Sequence, residues 1–157
     1  MTALITLTLA LAPIACPELV EGPPITPTLP ITPTLPITTG WASQYAPGVM
    51  ARVIATRQAG LTARDLPLDL PPVDGYVAAR YPDDIGRVVL LRPIGRREWE
   101  RFLVVDCAGR NDRRESDGLS GLAWMERYNV LVEVDYETAV RWDTVGRGIM
   151  VQMRWAD

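Results

Sequence analysis

The stretch VLVEVDYETAVRWDTVGRGIMVQMR, residues 130–154, decides how this chain folds. Val130, Val132 and Val134 alternate with Leu131, Glu133 and Asp135, the period of two expected of a half-buried strand. Asp135 then stands where a helix N-cap belongs, and Tyr136 to Trp142 read as a short helix. Ile149, Val151 and Met153 alternate with Met150, Gln152 and Arg154, so a second strand spans Gly148 to Arg154.

Working outward, Gly75 to Ala79, Arg87 to Arg92 and Trp99 to Val105 are further candidate strands, and Ser120 to Arg127 a second short helix. Many short strands interrupted by short helices suggest a small closed barrel, which leaves no exposed sheet edge. The fold expected is mainly β.

Ahead of this domain the composition changes. Residues 3–16, ALITLTLALAPIAC, form an apolar run of signal-peptide length, too short for a standard membrane-spanning helix. No Lys or Arg precedes it, and Pro13-Ile14-Ala15-Cys16 resembles a degraded lipobox, so a lipid on Cys16 is a further expectation. A buried N-terminal strand or helix of a cytosolic domain is the alternative. Next, PPITPTLPITPTLPITTG repeats the unit ITPTLP. Proline removes donors and fixes φ, so residues 17–39 read as an extended linker. The organisation expected is a leader over 1–16, a disordered Thr/Pro-rich linker over 17–39, and one domain over 40–157, secreted or held at the cell envelope.

The 157 residues carry a formal net charge of −3 with mixed signs, so no long-range field points to nucleic acid or an anionic surface. There is no His, which removes the commonest general base and metal ligand. Cys107 lies beside Asp106 but has no recognisable base, and reads as a small buried residue rather than a nucleophile. Arg96, Arg97, Arg101, Arg110, Arg113 and Arg114 are interleaved with Glu98, Glu100, Asp112 and Glu115, the pattern of a solvated loop surface. No phosphate-binding Gly loop, zinc constellation or Ser-centred triad is visible, and no cofactor or metal is expected.

Several short motifs, in order, carry a resemblance. They are the opening Gly40-Trp41-Ala42-Ser43-Gln44-Tyr45-Ala46-Pro47-Gly48, then Leu66-Pro67, then Asp84-Ile85-Gly86-Arg87-Val88-Val89. Val105-Asp106-Cys107-Ala108-Gly109 and Val132 to Tyr136 follow, with Ala139, Trp142 and Gly146 before the closing strand. Together they resemble the double-psi β-barrel group, which includes rare lipoprotein A-like domains, 3D domains, the barrel of membrane-bound lytic transglycosylase A, and expansins. The resemblance implies a six-stranded double-psi barrel and a cell-wall polysaccharide, most concretely peptidoglycan, as partner. Rare lipoprotein A-like enzymes carry a functional His shortly before the Leu-Pro segment and a Glu after the opening motif; this chain departs in having no His, and nothing around Thr62-Ala63-Arg64-Asp65 replaces it.

The activity implied is lytic transglycosylase-like cleavage, with Asp135 as acid then base and Asp106 as its partner. Tyr45, Trp41 and Trp124 would stack on sugar rings. Each has a plain counterpart: Asp135 as a helix cap, Asp106 as acceptor of turn amides, the aromatics as core. A non-catalytic wall-binding or wall-loosening module, expansin-like, is the alternative function, and a surface-tethered interaction domain a third. A monomer is expected, with membrane contact only through the leader or a lipid on Cys16.

Overall fold

A computed structural model describes residues 35–109 and 117–156. The leader, Cys16, nearly all of the linker, and Arg110, Arg113 and Arg114 of the arginine-rich stretch lie outside the described residues.

Six strands close into one barrel: β1 (Thr38–Gln44), β2 (Gly75–Ala79), β3 (Val88–Pro93), β4 (Glu100–Cys107), β5 (Val130–Val134) and β6 (Ile149–Trp155). Their order around the wall is β1-β5-β2-β4-β3-β6, with β6 pairing back onto β1. The pairs β1–β5 and β2–β4 are parallel and the other four antiparallel. Every strand edge is thereby paired, as expected of a barrel.

The alternation in the sequence sorts side chains between the inside and outside of this wall, except in β5, where a register shift against β1 places Leu131 in the core beside Val132 and Val134 and leaves Val130 under α2. Gly40 and Ala42 of β1 are buried, and Ala42 joins Val77, Val89, Leu91, Phe102, Val104 and Val151 in the interior cluster. Helix α3 (Tyr136–Trp142) caps one end of the barrel, placing Trp142 edge-on to Phe102 with centroids 5.6 Å apart. The indole N–H of Trp142 donates to Glu100 Oε1 at 2.8 Å, which satisfies the polar atom of a side chain only 3 % exposed.

Helix α2 (Gly121–Arg127) begins at Ser120, whose hydroxyl accepts from the Ala123 N–H at 3.2 Å. A further helix, α1 (Val49–Gln58), was not expected from the sequence. It opens after Gly48, in the left-handed region at φ 71°, with no side-chain cap, and it contains the β-branched residues Val49, Val53 and Ile54. None of the usual start signals is therefore present. Tertiary packing supplies the stabilisation: Met50 and Ile54 lie against Leu66, Leu103 and Val105 on the outside of the wall.

Gly75, at the start of β2, is required by close approach rather than by its backbone angles. A Cβ there would lie 2.5 Å from Thr138 Oγ1 and 2.7 Å from both Asp135 Oδ2 and Phe102 Cε1. Gly75→Ala should therefore destabilise the barrel by about 1–3 kcal/mol, the usual cost of overpacking a tight interior. Urea unfolding measures this; a midpoint equal to that of the wild type would show that α3 is free to move away from β2.

Candidate functional site

Trp41 and Ser43 alternate with the buried Gly40 and Ala42, so they stand on the outer face of β1. Trp41 is 44 % exposed, which sets aside a core role for it. Ser43 pairs in register with Glu133 of β5, and its hydroxyl donates to Glu133 Oε1 at 3.1 Å. Glu133 in turn pairs with Ala78 of β2, and Ala78 with Asp106 of β4. Ser43, Glu133, Ala78 and Asp106 thus form one row across four neighbouring strands. Only a methyl group stands between the two acids.

Tyr45 follows β1, anchored by its backbone N–H to Val134 O at 3.0 Å. Its hydroxyl reaches along the row and donates to Asp106 Oδ2 at 3.1 Å. The other oxygen, Asp106 Oδ1, accepts from Arg57 Nη2 at 2.8 Å. Arg57 comes from α1, is 9 % exposed, and also donates through Nη1 to Thr62 Oγ1 at 3.2 Å and to Arg64 O at 3.0 Å. One guanidinium therefore ties α1, the 62–64 turn and β4 together. Its Nε is buried with no hydrogen-bond partner among the described residues. Val49, Val53, Thr56 and Thr62 complete a cleft onto which Arg57 and Asp106 open.

Tyr45 and Arg57 each donate to one oxygen of Asp106. Burial pushes the Tyr45 hydroxyl well above its ordinary range, and the negative charges of Asp106 and Glu133 push it further the same way. Tyr45 is thereby kept a neutral donor.

Asp135 is placed differently. Its Oδ1 accepts from the Thr138 N–H at 2.6 Å, the N-cap bond of α3. Its Oδ2 accepts from the Tyr76 N–H at 2.5 Å, and its own N–H donates to Tyr76 O at 2.9 Å. The residue is 4 % exposed. It borders a different depression, with Met50, Ile54, Asp74 and Glu137, on the other side of α1 from the Asp106 cleft. The two aspartates do not face a common groove.

Trp124, half-buried on α2, leans on Tyr128 with centroids 6.1 Å apart. With Ser43, Gln44, Glu133 and Gly148 it lines a shallow groove, and Trp41 packs against Gly148 at its edge. Trp41 and Trp124 therefore border the outer face of β1, with Glu133 on the strand between β1 and β2, whereas Tyr45, expected beside them, packs with Met50, Leu66, Leu103 and Val105. Cys107 is half-buried at the end of β4, where the sequence suggested a small buried residue.

Arg57, Thr62 and Glu133 were not singled out by the sequence. For Glu133 a signal existed, a carboxylate inside the apolar run VLVEV. Arg57 sits in the helix that carried no start signal, so nothing local marked it. No protein-family model matches the chain, and no curated protein matches it.

A titration tests the Tyr45 placement. A phenol whose value is raised in the folded state contributes stability that is complete below its unfolded value near 10 and is lost as the pH climbs above it. Urea unfolding should show stability falling above pH 10 by about 1.4 kcal/mol per pH unit from this group alone. Tyr45→Phe should remove that share of the slope; an unchanged slope would mean the hydroxyl is solvated.

Proposed function

We propose that this barrel is a polysaccharide-recognising module of the cell envelope, of the double-psi type, that holds glycan on the outer face of β1. The observation that carries the reading is the groove lined by Trp124, Glu133, Ser43 and Gly148, with the exposed Trp41 at its edge. Flat apolar rings suit the faces of pyranoses, and fixed carboxylates and hydroxyls suit their hydroxyl groups. The apolar leader and the Thr/Pro linker support export, with a wall polysaccharide such as peptidoglycan as partner.

The geometry favours binding over cleavage. Glycosidic cleavage needs a carboxylic acid that delivers a proton to the leaving oxygen. Both oxygens of Asp135 already accept backbone N–H groups, and both oxygens of Asp106 accept from Arg57 and Tyr45. Lytic transglycosylase-like cleavage is the second reading, and it draws on Asp106, which opens onto a cleft, rather than on the enclosed Asp135.

Sedimentation with purified sacculi, followed by analysis of the soluble products, separates the readings. The full chain should pellet with sacculi and release nothing, and Trp41→Ala should weaken pelleting about tenfold, the loss of one well-placed aromatic contact. Release of anhydro-muropeptides that disappears in Asp106→Asn would replace the binding reading with the catalytic one. Neither pelleting nor release would end both.

A further inference from the structure

On the far side of the barrel from β5, the outer wall carries a concentration of arginine. Leu90 of β3 pairs with Arg101 of β4 on one side and with Arg154 of β6 on the other. Two residues along β3, Arg92 pairs with Gln152. Val89 and Leu91 point into the barrel core, so Leu90 and Arg92 point outward. Arg92, Arg101 and Arg154 therefore surround Leu90 on a single face.

Two of the three are held by one indole. The Arg92 and Arg154 guanidinium carbons lie 4.6 Å and 4.7 Å from the centroid of Trp99, within cation–π range. Arg92 is also fixed by Gln152 Oε1, which accepts from its Nε at 3.0 Å and from its Nη2. Arg154 Nε is buried with no hydrogen-bond partner among the described residues. Among the described residues, none of the three guanidinium groups forms an ion pair with a carboxylate. Glu100, the residue before Arg101, is turned away to Arg141 and Trp142, and Asp74 accepts the backbone N–H of Arg101 rather than its side chain.

Like charges on neighbouring strand positions repel, and diagonal neighbours such as Arg92 and Arg154 are only about 7–8 Å apart. An anion lying across the three guanidinium groups would relieve that repulsion. Guanidinium forks are matched to carboxylate and phosphate oxygens, and here two are already immobilised, so little side-chain freedom is lost on binding.

We propose that the outer face of β3, β4 and β6 around Leu90 is a binding site for a polyanionic saccharide, a chain bearing carboxylate or phosphodiester groups. The site is separate from the groove on β1. Single-stranded nucleic acid fits less well, because it is held by bases stacking on open aromatic faces, and Trp99 is already stacked by two arginines. The chain's net charge of −3 is no obstacle, since fields between exposed charges are screened within about 10 Å at ordinary ionic strength.

The test is titration of the full chain with polygalacturonate, with a glycerol-phosphate polymer, with neutral dextran, and with a single-stranded DNA oligonucleotide. At least one of the first two should bind, weakening tenfold or more between about 20 and about 200 mM salt, while dextran at this face does not. Which of them binds identifies the anionic group. Arg101→Gln should weaken binding about fivefold and Arg92→Gln with Arg154→Gln about tenfold or more, each charge-assisted contact being of that order. The Arg101 side chain makes no hydrogen bond or ion pair among the described residues, so its replacement tests binding without disturbing the fold. Trp41→Ala should leave polyanion binding unchanged, which keeps this result independent of the β1 groove. Absence of binding to both charged polymers at low salt overturns the proposal, as does wild-type affinity in Arg101→Gln. Tighter binding of the DNA than of either polymer overturns the assignment to a saccharide.

Discussion

The carboxylate of Asp135 is the joint on which the barrel's capped end depends. It closes the first turn of α3 through Thr138 and reaches across to the first N–H of β2 at Tyr76, while its own amide returns a bond to Tyr76 O. Gly75 sits beneath it because no Cβ fits between Phe102, Thr138 and the carboxylate. An ionised acceptor satisfies backbone donors more strongly than a neutral one does, and leaving either amide unpaired in a buried site costs about 1–3 kcal/mol. The helix that covers the barrel end, with Trp142 over Phe102, is tied at its start by Asp135 and further along by Glu100, which accepts from Arg141 and Trp142.

The same chemistry explains why two aspartates at ends of neighbouring segments have different uses. Asp135 is enclosed and answers to the backbone. Asp106 ends a strand beneath α1 and answers to side chains, Tyr45 and Arg57, which arrive from separate parts of the chain. In a chain without His, the buried arginine of α1 supplies the cationic partner for Asp106. The partnership is also structural, since Arg57 binds the 62–64 turn as well.

Charge is organised by face rather than by total. The excess of acids over bases in the whole chain conceals one wall, β4-β3-β6, whose outward positions include Arg92, Arg101 and Arg154 around Leu90 and beside which Trp99 is stacked by two of them. In the sequence Arg101 read as part of a solvated loop, because Glu98 and Glu100 flank it. Strand geometry separates what the sequence interleaves, since Glu100 and Arg101, being adjacent, point to opposite sides of the sheet.

What the sequence by itself determined is local. Period two in Val130 to Val134 and in Ile149 to Met153 specified strands, and Asp135 before an apolar helical run specified a cap, because these depend on a few consecutive residues and the direction of their Cβ atoms. The tertiary structure alone decided the rest. Helix α1 has no capping side chain and exists through packing on Leu103 and Val105. The row from Ser43 through Glu133 and Ala78 to Asp106 comes from the strand order β1-β5-β2-β4, joining positions up to 90 residues apart. Such encounters are set by register and closure of the whole barrel, and no local pattern of residues encodes which strand will lie beside which.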